Sequence, residues 1–301
     1  MRKQIDKVKH LTEKAKEALL LDDQDRVNYT RKSRWIGYPK AKQIEGKLEE
    51  LLAYPPKQRM PNMLIVGDTN NGKTTIINRF CEKHPQDDNR SGDAIILPVL
   101  LVEVPPVPDE SRLYNAILEE LSAPHKKNAH PDQQRVQVKS ILKAVGLRLL
   151  ILDEIHNMLA GNRPQQSSFR NAIRNLGNQL KISIVAVGIE EAFNTIEADD
   201  QLANRFEPIR LPKWDVGEDY LKLLASFEAM LPLWMPSNLA ESSLALKLLS
   251  MSEGLIGEIS SLLTKAAVEA IKNGDECISA KLLDSVGWIR PSQRKQGYNI
   301  V

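Results

Sequence analysis

The clearest chemistry in this chain lies in eight consecutive residues. Gly67-Asp68-Thr69-Asn70-Asn71-Gly72-Lys73-Thr74 reads G-x-x-x-x-G-K-[ST], the pattern of a phosphate-binding loop. Gly67 and Gly72 allow backbone angles that a side chain would forbid. The N–H groups of the loop, through Asp68, Asn70 and Asn71, can then turn toward a phosphate at the positive end of a following helix. Lys73 is spaced to reach the β- and γ-phosphates, and the Thr74 hydroxyl to ligate Mg²⁺, so ATP and Mg²⁺ are the expected cofactors. Thr75 belongs to the same loop with a structural role. The competing reading is a chance match in a turn rich in Gly and Asn.

A second constellation weighs against chance. Leu149-Leu150-Ile151-Leu152 is an apolar run that ends in Asp153-Glu154. Ligands of open α/β sheets bind at the carboxyl ends of strands, where this acidic pair falls. Asp153 fits the Mg²⁺-associated acid, and Glu154 the base that orients an attacking water. His156 follows closely, but no metal-ligand spacing accompanies it, so it reads as a structural or signalling polar residue.

These residues need a scaffold, and the hydrophobic pattern supplies one. Met63–Val66 predicts a strand and Thr74–Lys83 a helix, the strand–loop–helix order that a phosphate loop requires. Ala94–Val104 reads as a buried second strand, ended by Pro105, Pro106 and Pro108. Asp109 caps an expected helix to Leu121, and Pro131–Val145 is expected to form the next. Ile182–Val187 and Ile209–Leu211 complete five strands, with a helix over 165–180 before the fourth. Upstream, Ile44, Leu48, Leu51 and Leu52 mark a helix over 40–53 that Pro55-Pro56 stops. After Pro212 the pattern is all-helical, with helices near 216–231, 238–251, 256–272 and 279–286, caps at Ser237 and Ser279, and a stop at Gly274.

Four segments follow: a basic arm over 1–34, an α/β nucleotide-binding domain over 35–212, a helical lid over 213–289, and a basic, mobile tail over 290–301. In the arm, Val8, Leu11, Ala15, Ala18 and Leu19 recur at helical spacing until Asp22-Asp23-Gln24-Asp25 interrupts them. Residues 1–42 carry a net charge of +6 and the remainder −4, which suits an anionic partner or, alternatively, a solvated charged helix. At 42% hydrophobic and 27% charged, the composition is that of an ordinary globular protein. No apolar run approaches the ~18 residues of a membrane span, and the charged start lacks a signal-peptide core. Cys81 and Cys277 lie far apart without metal spacing, so a reducing, cytoplasmic protein with no membrane partner is expected.

Five strands alternating with helices, then a helical segment, resemble the AAA+ P-loop ATPases. Arg59-Met60-Pro61-Asn62 leading into Met63–Thr74, Leu152-Asp153-Glu154-Ile155-His156-Asn157, and Asp200-Gln201-Leu202-Ala203-Asn204-Arg205-Phe206 more closely resemble the TniB/TnsC-like ATPases of DNA transposition. The resemblance spans roughly residues 33–288. It implies an α/β fold with a five-stranded parallel sheet and a small all-helical lid, with Gly67–Thr74 as Walker A and Asp153-Glu154 as Walker B. It further implies a slow regulatory ATPase that oligomerises as a ring or filament on double-stranded DNA. Such a protein connects a TniQ-like target-selection partner to a DDE transposase, and hydrolysis drives disassembly.

By position Arg205 matches the arginine finger, which reaches the γ-phosphate held by the next subunit; the alternative is a pair with a carboxylate of its own subunit. Ile36 and Tyr38 lie where linkers of such ATPases line the adenine pocket, or else serve the core. Lys126, Lys127, Arg163, Arg170 and Arg174 stand in or near segments that would face DNA in an assembly, and otherwise are solvated surface charges. Two features depart from the common AAA+ pattern. The fourth strand ends Ala186-Val187-Gly188-Ile189 without a polar sensor, leaving Glu190 and Thr195 as substitutes, and Gly254–Glu258 lacks the sensor arginine. Competing functions are a helicase loader or DNA remodeller with robust turnover, and a nucleotide-gated protein scaffold that ignores DNA.

Overall fold

The computed structural model describes residues 8–90, 92, 95–197 and 204–296. The chain divides into two compact units. Residues 40–212 form one, and the flanking chain, up to residue 39 and from residue 213, forms the other.

The first unit is built on a five-stranded parallel sheet of order β2-β3-β4-β1-β5. Its strands are β1 (Asn62–Gly67), β2 (Val99–Glu103), β3 (Leu149–Asp153), β4 (Ser183–Gly188) and β5 (Phe206–Leu211). The pairs run Met63–Val185, Ile65–Ile209, Leu101–Ile151 and Ile151–Val185. Both faces of the central strands are buried, as their unbroken apolar sequence demands. Leu64, Val66, Leu150, Leu152, Ile184 and Ala186 pack in one core with residues of the helices Glu110–Glu120, Pro131–Ala144 and Arg163–Leu180. The alternate residues Met63, Ile65, Ile151, Val185 and Val187 are buried on the opposite face.

The second strand is shorter than the pattern predicts, because it starts only after Pro98. Proline has no N–H for the ladder, and its carbonyl instead accepts from the N–H groups of Arg148 and Leu149. Ala94, the expected start, lies outside the described residues. A helix at Glu190–Glu197 was not expected. The helix over 165–180 begins earlier, at Arg163, where Asn162 and Gln165 form a capping box.

The second unit is helical. Its C-terminal helices are Glu218–Met230, Ser242–Ser252, Ile256–Asn273, Ala280–Ser285 and Pro291–Gln296. Ser279 caps its helix and Gly274 stops another in the left-handed conformation, φ 73°. Ser237 is not a cap; its hydroxyl accepts from the N–H of Ile278. The N-terminal segment, expected as an appended arm, is built into this unit through the helices Glu13–Ala18 and Asp23–Arg31. Val8, Leu11, Ala15 and Leu19 form a small core with Trp234 against them; the first helix ends at Ala18, and Asp22 caps the second. The expected mobile tail is helical over Pro291–Gln296, and Arg294 makes two bonds to Glu258, at 2.7 and 3.1 Å. Residues 1–7 and 297–301, the extremes of arm and tail, lie outside the described residues.

Arg26 holds the two halves of this unit together. Its guanidinium is buried and donates to both oxygens of Glu276, at 2.9 and 2.5 Å, and to the carbonyl of Pro232 at 2.9 Å. Arg26→Ala leaves Glu276 without its counter-charge and should lower stability by about 3–5 kcal/mol. Arg26→Met with Glu276→Leu strands no charge and should recover most of that loss. Chemical unfolding followed by tryptophan fluorescence distinguishes the two; equal losses in both variants would contradict this role of Arg26.

Candidate nucleotide site

The phosphate loop leaves the carboxyl end of β1, and two features hold it in place. A Cβ on Gly67 would come within 2.7 Å of the Leu211 carbonyl oxygen at the end of β5, so only glycine lets the two chains approach. The Asn71 side chain, 1% exposed, donates through Nδ2 to the carbonyls of Leu211 at 2.8 Å and Pro212 at 3.0 Å. The side-chain NH₂ of Asn71 thereby anchors the loop, and its expected nucleotide contact is through the backbone N–H. Asn70 and Gly72 take positive φ, 61° and 85°, which Asn tolerates and Gly adopts freely. Asp68, Asn70, Thr74 and Thr75 remain exposed at the loop surface.

Lys73 begins the helix Lys73–Lys83, and its ammonium donates to the carbonyls of Gly67 and Asp68, each at 2.8 Å. Burial holds the Lys73 ammonium below its ordinary pKa, and the carboxylates of Glu154, Asp153 and Asp68 oppose that shift. A cation kept partly desolvated beside open loop N–H groups is suited to a polyphosphate.

The acidic pair meets the loop across an intervening strand. β4 lies between β1 and β3, so the two motifs start two strand spacings, about 10 Å, apart. The first turn of the helix after the loop closes this gap, and Thr74 Oγ1 donates to Asp153 Oδ2 at 2.8 Å. The other oxygen of Asp153 accepts from the Glu154 N–H at 2.8 Å, which fixes the plane of the carboxylate. Gly188 ends β4 beneath them, and a Cβ there would meet Ile155 Cγ2 at 2.9 Å. Mg²⁺ in phosphate sites takes one or two protein oxygens and completes its shell with waters and phosphates. A hydroxyl and a carboxylate in direct contact fit that donor set. Among the described residues no group of three or more His, Cys, Asp or Glu forms a metal cluster.

Glu154 sits at φ 55°, ψ 37°, a left-handed conformation that costs a non-glycine residue about 1 kcal/mol or more. Its carboxylate oxygen Oε2 lies 3.0 Å from the buried His156 Nδ1, without hydrogen-bond alignment.

The remaining candidate residues are divided between the two units. Ile36 and Tyr38 belong to the helical unit, where Tyr38 packs edge-on to Trp214 at 5.0 Å and burial pushes its hydroxyl up to about 12. Arg205 immediately precedes β5, so the six residues of that strand place it about 20 Å from the loop end of the sheet. It makes no ion pair among the described residues; its Nη1 donates to Asn178 Oδ1 at 2.9 Å. Burial first, then Arg59 and Arg174, lower its pKa. Of its motif, Asp200-Gln201-Leu202-Ala203 lies outside the described residues. Arg174 therefore stands beside Arg205, whereas Arg163 is at the opposite end of its helix. Lys126 is exposed and Lys127 pairs with Glu119 at 2.9 Å. Arg170 is half-buried. Glu190 accepts from Arg210 at 2.9 and 3.1 Å, and the Thr195 side chain lies outside the described residues.

A family model described as bacterial TniB protein matches residues 26–216, more than half of the chain. No curated protein matches the sequence. Among solved structures, the Aeropyrum pernix ORC2 protein (ADPNP–ADP complexes) is 17% identical, with a TM-score of 0.63 over 90% of this chain and 74% of that one. The Aeropyrum pernix ORC1 protein in complex with DNA is 15% identical, with a TM-score of 0.54 over 89% and 67%. Drosophila ORC bound to DNA is 14% identical, with a TM-score of 0.59 over 88% and 65%. At these identities the likeness shows the fold, which is that of the AAA+ ATPases. Among the described residues no helix is long and apolar enough to cross a membrane.

Proposed function

This chain belongs to the bacterial TniB protein family, and from that premise we propose that it is an ATP-binding, DNA-associated ATPase of transposition. The observation that carries the reading is the 2.8 Å contact between Thr74 and Asp153, whose chain neighbours are Lys73 and Glu154. Lys73 and the loop N–H groups hold the phosphates, and Thr74 and Asp153 hold Mg²⁺, which neutralises phosphate charge. Glu154 orients the attacking water. Arg205 lies at the far end of its own sheet, so it serves a nucleotide on an adjacent copy. A site at one end and its cation at the other make a head-to-tail contact, which repeats as a ring or a filament.

The fold is shared with ORC proteins whose structures contain DNA. Contacts through Lys126, Lys127, Arg163, Arg170 and Arg174 would read phosphates, so binding should be salt-sensitive and nearly independent of sequence. On DNA the assembly links a TniQ-like target selector to a DDE transposase, and hydrolysis dismantles it.

Electron microscopy of the protein on linear duplex DNA tests this with ATP, ADP and a slowly hydrolysed ATP analogue. Rings or filaments on DNA with the triphosphates alone are expected. Oligomers that form equally well without DNA and never engage it would replace this reading with a nucleotide-gated scaffold.

A further inference from the structure

Arg59-Met60-Pro61-Asn62 precedes β1 and has no role in the nucleotide site of its own chain, which lies at the other end of that strand. The segment is nonetheless firmly held. Met60 is buried, and Asn62 joins three strands at their starts: its N–H donates to the Arg205 carbonyl at 3.2 Å, and its Oδ1 accepts from the N–H of Ile184 at 2.8 Å. This clip brings Arg59 and Arg205 to one cavity of about 920 Å³ at the amino ends of β1 and β5.

Four cations line that cavity: Lys47, Lys57, Arg59 and Arg205. Lys47 is taken by Glu207 at 2.6 Å, and Lys57 by the Tyr54 hydroxyl at 2.7 Å. Arg205 has only the neutral Asn178 amide, and Arg59 is exposed with no hydrogen-bond or ion-pair partner among the described residues. Two guanidiniums held near one another repel; burial first, then Arg59 and Arg174, hold the basicity of Arg205 below its ordinary value. An anion of more than one negative charge, with oxygens for forked donors, relieves this repulsion.

We propose that Arg59 is a second trans-acting cation, which with Arg205 grips the terminal phosphates of a nucleoside triphosphate bound to the loop of an adjacent copy. This rests on the trans reading of Arg205 and adds a residue to it. A copy of the same chain is the source because each copy carries the phosphate site at one end of β1 and the cation pair at the other, the two halves of a heterologous contact.

Mixing experiments test it. Without DNA, where the proposed function docks no adjacent copy, Arg59→Ala should bind a fluorescent ATP analogue as wild type does; on DNA it should lose at least about tenfold in hydrolysis, a share of what arginine fingers supply. Glu154→Gln is expected to be inactive alone but carries intact arginines. A 1:1 mixture of the two should recover about a quarter of the wild-type rate, since random head-to-tail contacts pair a competent site with a competent donor in one case of four. Arg205→Ala mixed with Glu154→Gln is the parallel control. Wild-type hydrolysis by Arg59→Ala would overturn the proposal. So would recovery in the Arg205→Ala mixture without recovery in the Arg59→Ala mixture, which leaves the trans finger standing. Failure of both mixtures overturns the trans reading itself, and this proposal with it.

Discussion

Lys73→Ala should bind ATP at least about 100-fold more weakly than wild type, as expected for losing a charge-assisted bond worth about 1.5–3 kcal/mol at each phosphate contact. The Lys73 ammonium is the one group of the loop that is both cationic and 9% exposed, so solvent screens it little. The substitution should not unfold the loop. Asn71 and Gly67 anchor it to the end of β5 independently of Lys73, and alanine favours the helix that starts there. Titration with a fluorescent nucleotide measures the effect, and assembly on duplex DNA should disappear with it. Wild-type affinity in a folded Lys73→Ala protein would remove the loop from the proposed function.

Glu154→Gln should separate binding from turnover. Gln occupies the same volume and can take the same left-handed backbone, but it cannot accept a proton from water. Hydrolysis should fall about 10²–10⁴-fold, the span of a lost general base. Nucleotide affinity should be unchanged, because Lys73, Thr74 and Asp153 are untouched. If hydrolysis dismantles the DNA assembly, the variant should persist on DNA long after wild type has left when free ATP is removed. Single-turnover hydrolysis and dissociation from immobilised duplex measure the two parts. A Glu154→Gln protein that releases DNA as fast as wild type would sever the proposed connection between hydrolysis and disassembly.

What could be read from the residues alone was local. The apolar runs at Met63–Val66, Leu149–Leu152 and Ile182–Val187 announce buried strands because each is short, continuous and bounded by turn residues. The strand–loop–helix order around Gly67–Thr74 follows from glycine spacing, and the helix boundaries near Asp109, Ser279 and Gly274 follow from capping chemistry. These signals lie within a few residues of what they specify.

The tertiary structure decided everything that depends on residues distant in sequence. Thr74 and Asp153 meet over the end of β4, a contact that depends on strand order, which no local pattern encodes. Asn71 anchors the loop on β5, 140 residues away, through a side-chain amide whose partner no local pattern names. The N-terminal segment reads as a basic appendage because its charges dominate its composition. Arg26 is instead buried against Glu276, 250 residues on, and a buried ion pair of that separation leaves no trace in either stretch. Arg59 passed as part of a motif without a function until the clip at Asn62 placed it beside Arg205. Short-range sterics, periodicity and caps are written along the chain, while long-range charge partners are fixed only when the sheet sets which strand ends are neighbours.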